Sequence, residues 1–246
     1  MSIFVLVPGA WHGGWCWKKL VPLLRVSGHE VYTPTLTGLG ERSHLLSHKI
    51  DLHTHIMDIV NLLEFEDLTN VILVGHSYAS AVIEGVAEIV PHRLSRLVNL
   101  DGDILSNGQS FLDAMNLQVP KFVEELRQLV MDEGEGWLIP FSERMRMLAS
   151  PEKGGMFGVT DKEDLKWMRE RLTSHPMATF EQKERLVRLE AVAIPRTFIW
   201  CSVFDGKKIA ERPSLPSNWD FREIETGHDA MISAPHELSE ILERLA

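Results

Sequence analysis

Asn70-Val-Ile-Leu-Val-Gly-His-Ser-Tyr-Ala-Ser80 decides how this chain is read. Residues 71–74 form a short, wholly apolar, mostly β-branched run, the pattern of a strand buried on both faces of a parallel sheet. Gly75-His-Ser-Tyr-Ala79 follows without a spacer. Ala81, Val82, Val86, Ala87, Ile89 and Val90 then recur at helical spacing as far as Pro91. A strand, a sharp turn with serine at its tip and a helix make up the setting of a nucleophile elbow. Gly75 has no side chain to hold strand and helix apart. Ala79 stands where the motif usually has its second glycine, so this is a G-x-S-x-A variant. The pentapeptide alone reads equally well as an ordinary strand-to-helix turn, and it is the flanking strand and helix that favour the elbow.

The 246 residues suffice for one large α/β unit or a core carrying an inserted cap. Hydrophobic content of 44% and charged content of 24% match a globular chain and disfavour disorder. The net charge of −10, with no block of Lys or Arg, disfavours nucleic acid as a partner. No apolar run reaches the length of a membrane-spanning helix, and residues 1–7 lack the basic start of a signal peptide, so a cytoplasmic protein without a membrane partner is expected. Cys16 and Cys201 lie beside Trp17 and Trp200 in apolar surroundings and read as two buried free thiols.

Upstream of the elbow, Ile3–Val7 is a first strand, ending at Pro8-Gly-Ala-Trp-His-Gly-Gly-Trp15, a loop with exposed backbone N–H groups. A short helix, the strand Glu30-Val-Tyr-Thr33, a polar loop at 34–42, an irregular piece at 43–49 and a helix over 52–64 lead to the elbow strand. His44 and His48 have helical spacing but no carboxylate partner and read as solvated, so no metal site is expected. Leu94–Leu100 is the next strand, ending at Asp101-Gly-Asp103. The alternation of strand and helix predicts a doubly wound, mainly parallel α/β sheet. Neither a dinucleotide fingerprint nor a Walker loop is present. Residues 104–190 change to amphipathic helices joined by Gly- and Pro-rich pieces, including helices over 141–148 and roughly 180–189, and read as a helical cap. The core is then 1–103 together with 191–246, its last strands being 196–201 and 219–224. His12, Trp137 and Phe180 are the candidate substrate contacts; most other Met and aromatic residues of the insert are expected to form its own core.

Four stretches carry a resemblance: Val7-Pro-Gly-Ala-Trp-His-Gly-Gly-Trp-Cys-Trp17, Pro34-Thr-Leu-Thr-Gly-Leu-Gly-Glu-Arg42, Val74-Gly-His-Ser-Tyr78 and Thr226-Gly-His-Asp-Ala-Met231. In this order they resemble the α/β-hydrolase superfamily over its whole length, on the branch of esterases and hydroxynitrile lyases. The resemblance implies the α/β-hydrolase fold with a capped pocket, and cofactor-free acyl chemistry on a small-molecule ester. It assigns Ser77 as nucleophile and His228 as base, in the family's order of serine, acid, histidine. Oxyanion donors fall to Ala10 or Trp11 and to Tyr78. Two carboxylates compete for the acid: Asp205, where most such hydrolases place it, and Asp101, at the strand end used by haloalkane-dehalogenase-like members. Asp101 is favoured. Asp103 and Asp229 read as solvated or capping.

A hydroxynitrile lyase of this branch carries a lysine after the catalytic histidine, and Asp229 stands there instead. A C–C hydrolase on the same triad and a non-catalytic receptor for a small ligand remain alternatives to the esterase. An apolar or aryl ester is the expected substrate. A homodimer is left open.

Overall fold

The computed structural model describes residues 1–150, 155–183, 194–204, 206–209, 211 and 213–246. Six strands form one all-parallel sheet: β1 (Ile3–Val7), β2 (Glu30–Tyr32), β3 (Val71–His76), β4 (Leu94–Leu100), β5 (Arg196–Cys201) and β6 (Trp219–Ile224). Their order is β6-β5-β4-β3-β1-β2. The chain winds from β1 out to β2, returns to β3 on the other side of β1, and continues outward through β4, β5 and β6. The winding therefore reverses between β1 and β3, and the crevice beyond the carboxyl ends of those strands is where open α/β sheets bind ligands.

All six residues of β3 are buried, as its unbroken apolar run requires of a central strand. Ten helices accompany the sheet among the described residues: α1 (Val21–Val26), α2 (Leu52–Phe65), α3 (Ala79–Ile89), α4 (Phe111–Gln118), α5 (Pro120–Glu133), α6 (Glu143–Leu148), α7 (Lys162–Arg169), α8 (Ala178–Glu181), α9 (Ala230–Ser233) and α10 (Pro235–Glu243). α2 starts at a capping box, with Asp51 accepting from the Thr54 N–H at 2.9 Å. Every residue of α3 from Ala79 to Ala87 is buried, as expected of a helix covered on more than its sheet face. Its Glu84 is buried against Arg196 of β5, with N–O distances of 3.3 and 3.4 Å, which ties the elbow helix to a distant strand.

The insert between β4 and β5 carries α4 to α8 and a two-stranded antiparallel pairing of Leu138–Ile139 with His175–Pro176. Its core takes Met145, Met156, Met168, Met177 and Phe180. The sequence boundaries differ in detail. Residues 40–45 form a 3-10 turn where an irregular piece was expected, and α8 ends at Glu181, the rest of the helix expected to 189 lying outside the described residues beyond Lys183. Cys16 and Cys201 are free and buried, and His44 and His48 are exposed. No helix among the described residues is long and apolar enough to cross a membrane.

Candidate active site

Ser77 follows the last residue of β3 and has φ 54°, in the left-handed region that a non-glycine residue enters only under constraint. Its N–H donates to the Leu100 carbonyl (2.9 Å), and its own carbonyl accepts the Ser80 N–H (2.9 Å), so the turn is pinned to β4 on one side and to α3 on the other. Gly75 is what permits this turn. A Cβ there would stand 2.6 Å from the Ala79 carbonyl oxygen. The methyl of Ala79 itself is accommodated, fully buried at the first turn of α3.

The base and acid positions come from the ends of β6 and β4. His228 Nδ1 donates to Asp101 Oδ2 at 2.7 Å. Asp101 is itself fixed: its Oδ1 accepts the Cys201 N–H (2.9 Å), its N–H donates to Ile199 (2.8 Å), and its φ of 52° is again left-handed. With Nδ1 protonated toward a carboxylate, His228 presents the lone pair of Nε2, and the ring remains 32% exposed. Burial works against a charge on His228, but the Asp101 hydrogen bond and the charges of Asp101, Asp229 and Asp103 outweigh it and hold the imidazole above its ordinary pKa. Burial raises Asp103 to about 6, and its carboxylate accepts from Gln118. Of the two candidate acids, the structure brings Asp101 to His228, while Asp205 lies outside the described residues. Ser77 Oγ makes no hydrogen bond to a described residue.

The loop after β1 passes over the elbow: a Cβ on Gly9 would be 3.1 Å from Ser77 Cβ. Trp11 is left-handed at φ 65°, and its N–H points at His175 Nδ1 (3.4 Å). Thr179 Oγ donates to the Pro176 carbonyl and so accepts from His175 Nε2, which leaves Nδ1 unprotonated to receive the Trp11 N–H. The Ala10 N–H has no such partner among the described residues. Of the two donors expected in this loop, Trp11 is occupied and Ala10 is the one that remains.

His12 was expected at the substrate. It is 2% exposed, with Nδ1 toward the Ala10 carbonyl (2.8 Å) and Nε2 toward Asp229 Oδ2 (3.1 Å), so neither nitrogen faces a ligand. Asp229 is not the solvated or capping carboxylate expected from sequence. It is wholly buried, and its side chain caps nothing at the start of α9. Burial opposes its ionisation, but the His12 ring beside it brings its pKa below the usual carboxylate range. Trp137 is half-buried with its ring edge-on to His48 at 6.3 Å, whereas Phe180 stacks on Tyr78 at 5.2 Å.

Phe180 belongs to a ring cluster that sequence reading only partly found. Phe111 meets both Tyr78 (5.6 Å) and Phe180 (5.0 Å), Trp11 stacks on Phe157 (5.7 Å), and Phe157 reaches His228 (6.3 Å). Phe111, His175 and His55 carried no motif, and His76 stood in the elbow motif only as its variable position; their clustering in space reveals them. His55 receives the Tyr78 hydroxyl on Nδ1 (3.0 Å) and donates from Nε2 to the Thr37 carbonyl (2.9 Å). His76 Nε2 donates to the His228 carbonyl (3.1 Å). His76, His228 and Asp229 each bring one potential ligand atom within 4.8 Å of the others, with His76 Nε2 and His228 Nδ1 engaged in these hydrogen bonds.

Comparison with known proteins agrees with this arrangement. The model of the "Alpha/beta hydrolase family" matches residues 4–241. A carbendazim hydrolyzing esterase of Nocardioides sp. is 33% identical over 253 residues, covering all of both chains. A putative chloroplastic methylesterase 11 of Arabidopsis thaliana is 36% identical over 116 residues, covering 47% of this chain and 30% of its own. Among solved structures, an extracellular α/β-hydrolase from a Paenibacillus species superposes with a TM-score of 0.82 at 20% identity, covering 99% of this chain and 98% of the other, a likeness of fold. With a serine elbow at the winding reversal and a histidine–carboxylate pair beside it, the chain belongs to the α/β-hydrolase family, on its esterase branch.

Proposed function

We propose that this esterase cleaves a carboxylic ester through Ser77, His228 and Asp101. The observation that carries the reading is the strained Ser77 tip at the end of β3, with His228 beyond β6 held by Asp101 at the end of β4 at 2.7 Å. His228 Nε2 takes the Ser77 proton as Oγ attacks the ester carbonyl, then delivers it to the leaving alkoxide; water, activated by the same nitrogen, releases the acyl group. The Ala10 and Tyr78 N–H groups receive the oxyanion, each contributing about 3 kcal/mol in the transition state.

The rings of Trp11, Phe157, Tyr78, Phe180 and Phe111 pack around the elbow, the oxyanion loop and the base, and these apolar surroundings support an aryl or apolar ester as substrate. The relative named for carbendazim hydrolysis supports ester-type chemistry on this scaffold. The buried carboxylate of Asp229 argues against the lyase alternative, since a negative group beside the base opposes cyanide. The test is turnover of a series of p-nitrophenyl and aryl esters by wild type and Ser77→Ala. The expected result is multiple turnovers that favour aryl or longer acyl groups and vanish in Ser77→Ala. Turnover of acetate alone would sink the aryl assignment, and saturable binding without turnover would make the protein a receptor.

A further inference from the structure

We propose that His12 and Asp229 form a buried imidazolium–carboxylate strut that fixes the oxyanion loop against the base loop, and that both are positioning residues for the reaction at Ser77. The inference rests on the triad reading above.

His12 and Asp229 are 2% and 0% exposed and 217 residues apart in sequence. The Ala10 carbonyl can only accept a hydrogen bond, so His12 Nδ1 carries a proton; the ionised Asp229 carboxylate can only accept, so Nε2 carries one as well. A ring that donates at both nitrogens is a cation. A buried charge pair is expensive to desolvate, and apolar residues of similar volume often stabilise a fold at least as well. What the charged pair adds is direction. It locks the Ala10 carbonyl, while His175 takes the Trp11 N–H and the Thr173 N–H takes the Trp11 carbonyl (3.0 Å). Of the four main-chain polar groups of Ala10 and Trp11, three are then tied down, and Trp11 is held at its strained φ of 65°. The Ala10 N–H, without a partner among the described residues, is the group left to meet an oxyanion. At its other end the strut is anchored by main chain: the Asp229 N–H donates to Phe157 (3.0 Å), and the Asp229 carbonyl accepts from Ile232 (2.9 Å) and Ser233 (3.0 Å).

The titratable surroundings are compact. The Asp229 carboxylate faces His12 and His76, its charge reaches His228, and the buried thiols of Cys16 and Cys201 feel it as well. His228 also faces Asp101 and Asp103. Asp229→Asn removes the charge and offers an amide N–H in place of a carboxylate oxygen, so His12 becomes neutral, with its proton on Nδ1 toward the Ala10 carbonyl and Nε2 accepting from the amide.

The experiment combines side-chain 1H–15N NMR of the resting protein with steady-state kinetics of wild type, Asp229→Asn, His12→Phe and Ser77→Ala. The expected result is two N–H protons on His12 in wild type at neutral pH and one in Asp229→Asn. His12→Phe lowers kcat about 10²-fold with KM little changed, the effect of a misplaced reacting group. In Asp229→Asn the acidic limb of kcat/KM moves to lower pH, a change that general loosening does not produce. A single N–H on His12 in wild type overturns the strut, and this reading needs only folded wild type. Wild-type kcat in His12→Phe, or an unmoved acidic limb in Asp229→Asn, overturns the positioning role. Full activity in Ser77→Ala, by contrast, overturns the triad and leaves the NMR result standing.

Discussion

Asp101 carries more of the proposed chemistry than any other single carboxylate. It holds His228 in the tautomer that a base needs, and it is held in turn by Cys201 and Ile199. Asp101→Asn is predicted to lower the rate about 10⁴-fold, the loss expected when the orienting acid of such a triad is neutralised. Because Asp101 helps raise the His228 pKa, kcat/KM of wild type rises with pH through an apparent value above 6.5, and any residual activity of the variant rises at lower pH. A pH–rate profile checks both. A second set of histidines acts on stability. Burial holds His55 down to about 4, His76 down to about 3, and His175 well below the ordinary 6.5. Between 6.5 and 4 the unfolded chain binds protons on these rings that the folded chain does not. The contribution of these three rings to stability is therefore complete above 6.5 and is lost as the pH drops through that window. Urea midpoints at a series of pH values are predicted to decline from about pH 6.5 downward; a flat midpoint down to pH 4 contradicts the assignment of buried neutral rings.

Elements set the accuracy of the site. Ser77, the Ala10–Trp11 loop, Asp101 and His228 each follow directly on the end of a strand or lie within a short loop of one; β1, β3 and β4 are each braced by two neighbours, a firmer support than a free loop, and β6, which leads to His228, is the edge strand. The elbow is the tightest of these joints. Gly75→Ala places a methyl 2.6 Å from the Ala79 carbonyl, where backbone must give way. The variant is predicted to lose about 1–3 kcal/mol or more of stability, read from denaturant midpoints. These elements were legible because their patterns are local: an apolar run in β3, helical spacing in α3, glycine after β1. The insert was legible as helices, through its amphipathic spacing, but its contacts with the site were not. Phe111 of α4 and His175 of the short strand pairing face Tyr78 and Phe180 through packing against α8 and the elbow, and no sequence periodicity encodes which insert residue points inward.

At the scale of the molecule, the order β6-β5-β4-β3-β1-β2 gathers four chain segments at one end of the sheet. The proposed triad serine and histidine were legible from their turns taken together with the strands and helix that flank them and the resemblance those stretches carry. The acid was readable only as a choice between two strand ends, since spacing along the chain does not say which carboxylate reaches a histidine 127 residues away. The pairing of His12 with Asp229 was not readable at all: His12 reads as a substrate contact and Asp229 as a solvated or capping residue until the folded sheet brings the β1 and β6 loops together. The central claim, that this geometry activates Ser77, is tested most directly by intact-mass spectrometry after exposure to a serine-directed fluorophosphonate, on wild type, Ser77→Ala and Asp101→Asn. The account predicts one adduct on wild type, none on Ser77→Ala, and strongly slowed labelling of Asp101→Asn. Labelling of Ser77→Ala, or equal rates for wild type and Asp101→Asn, would contradict it.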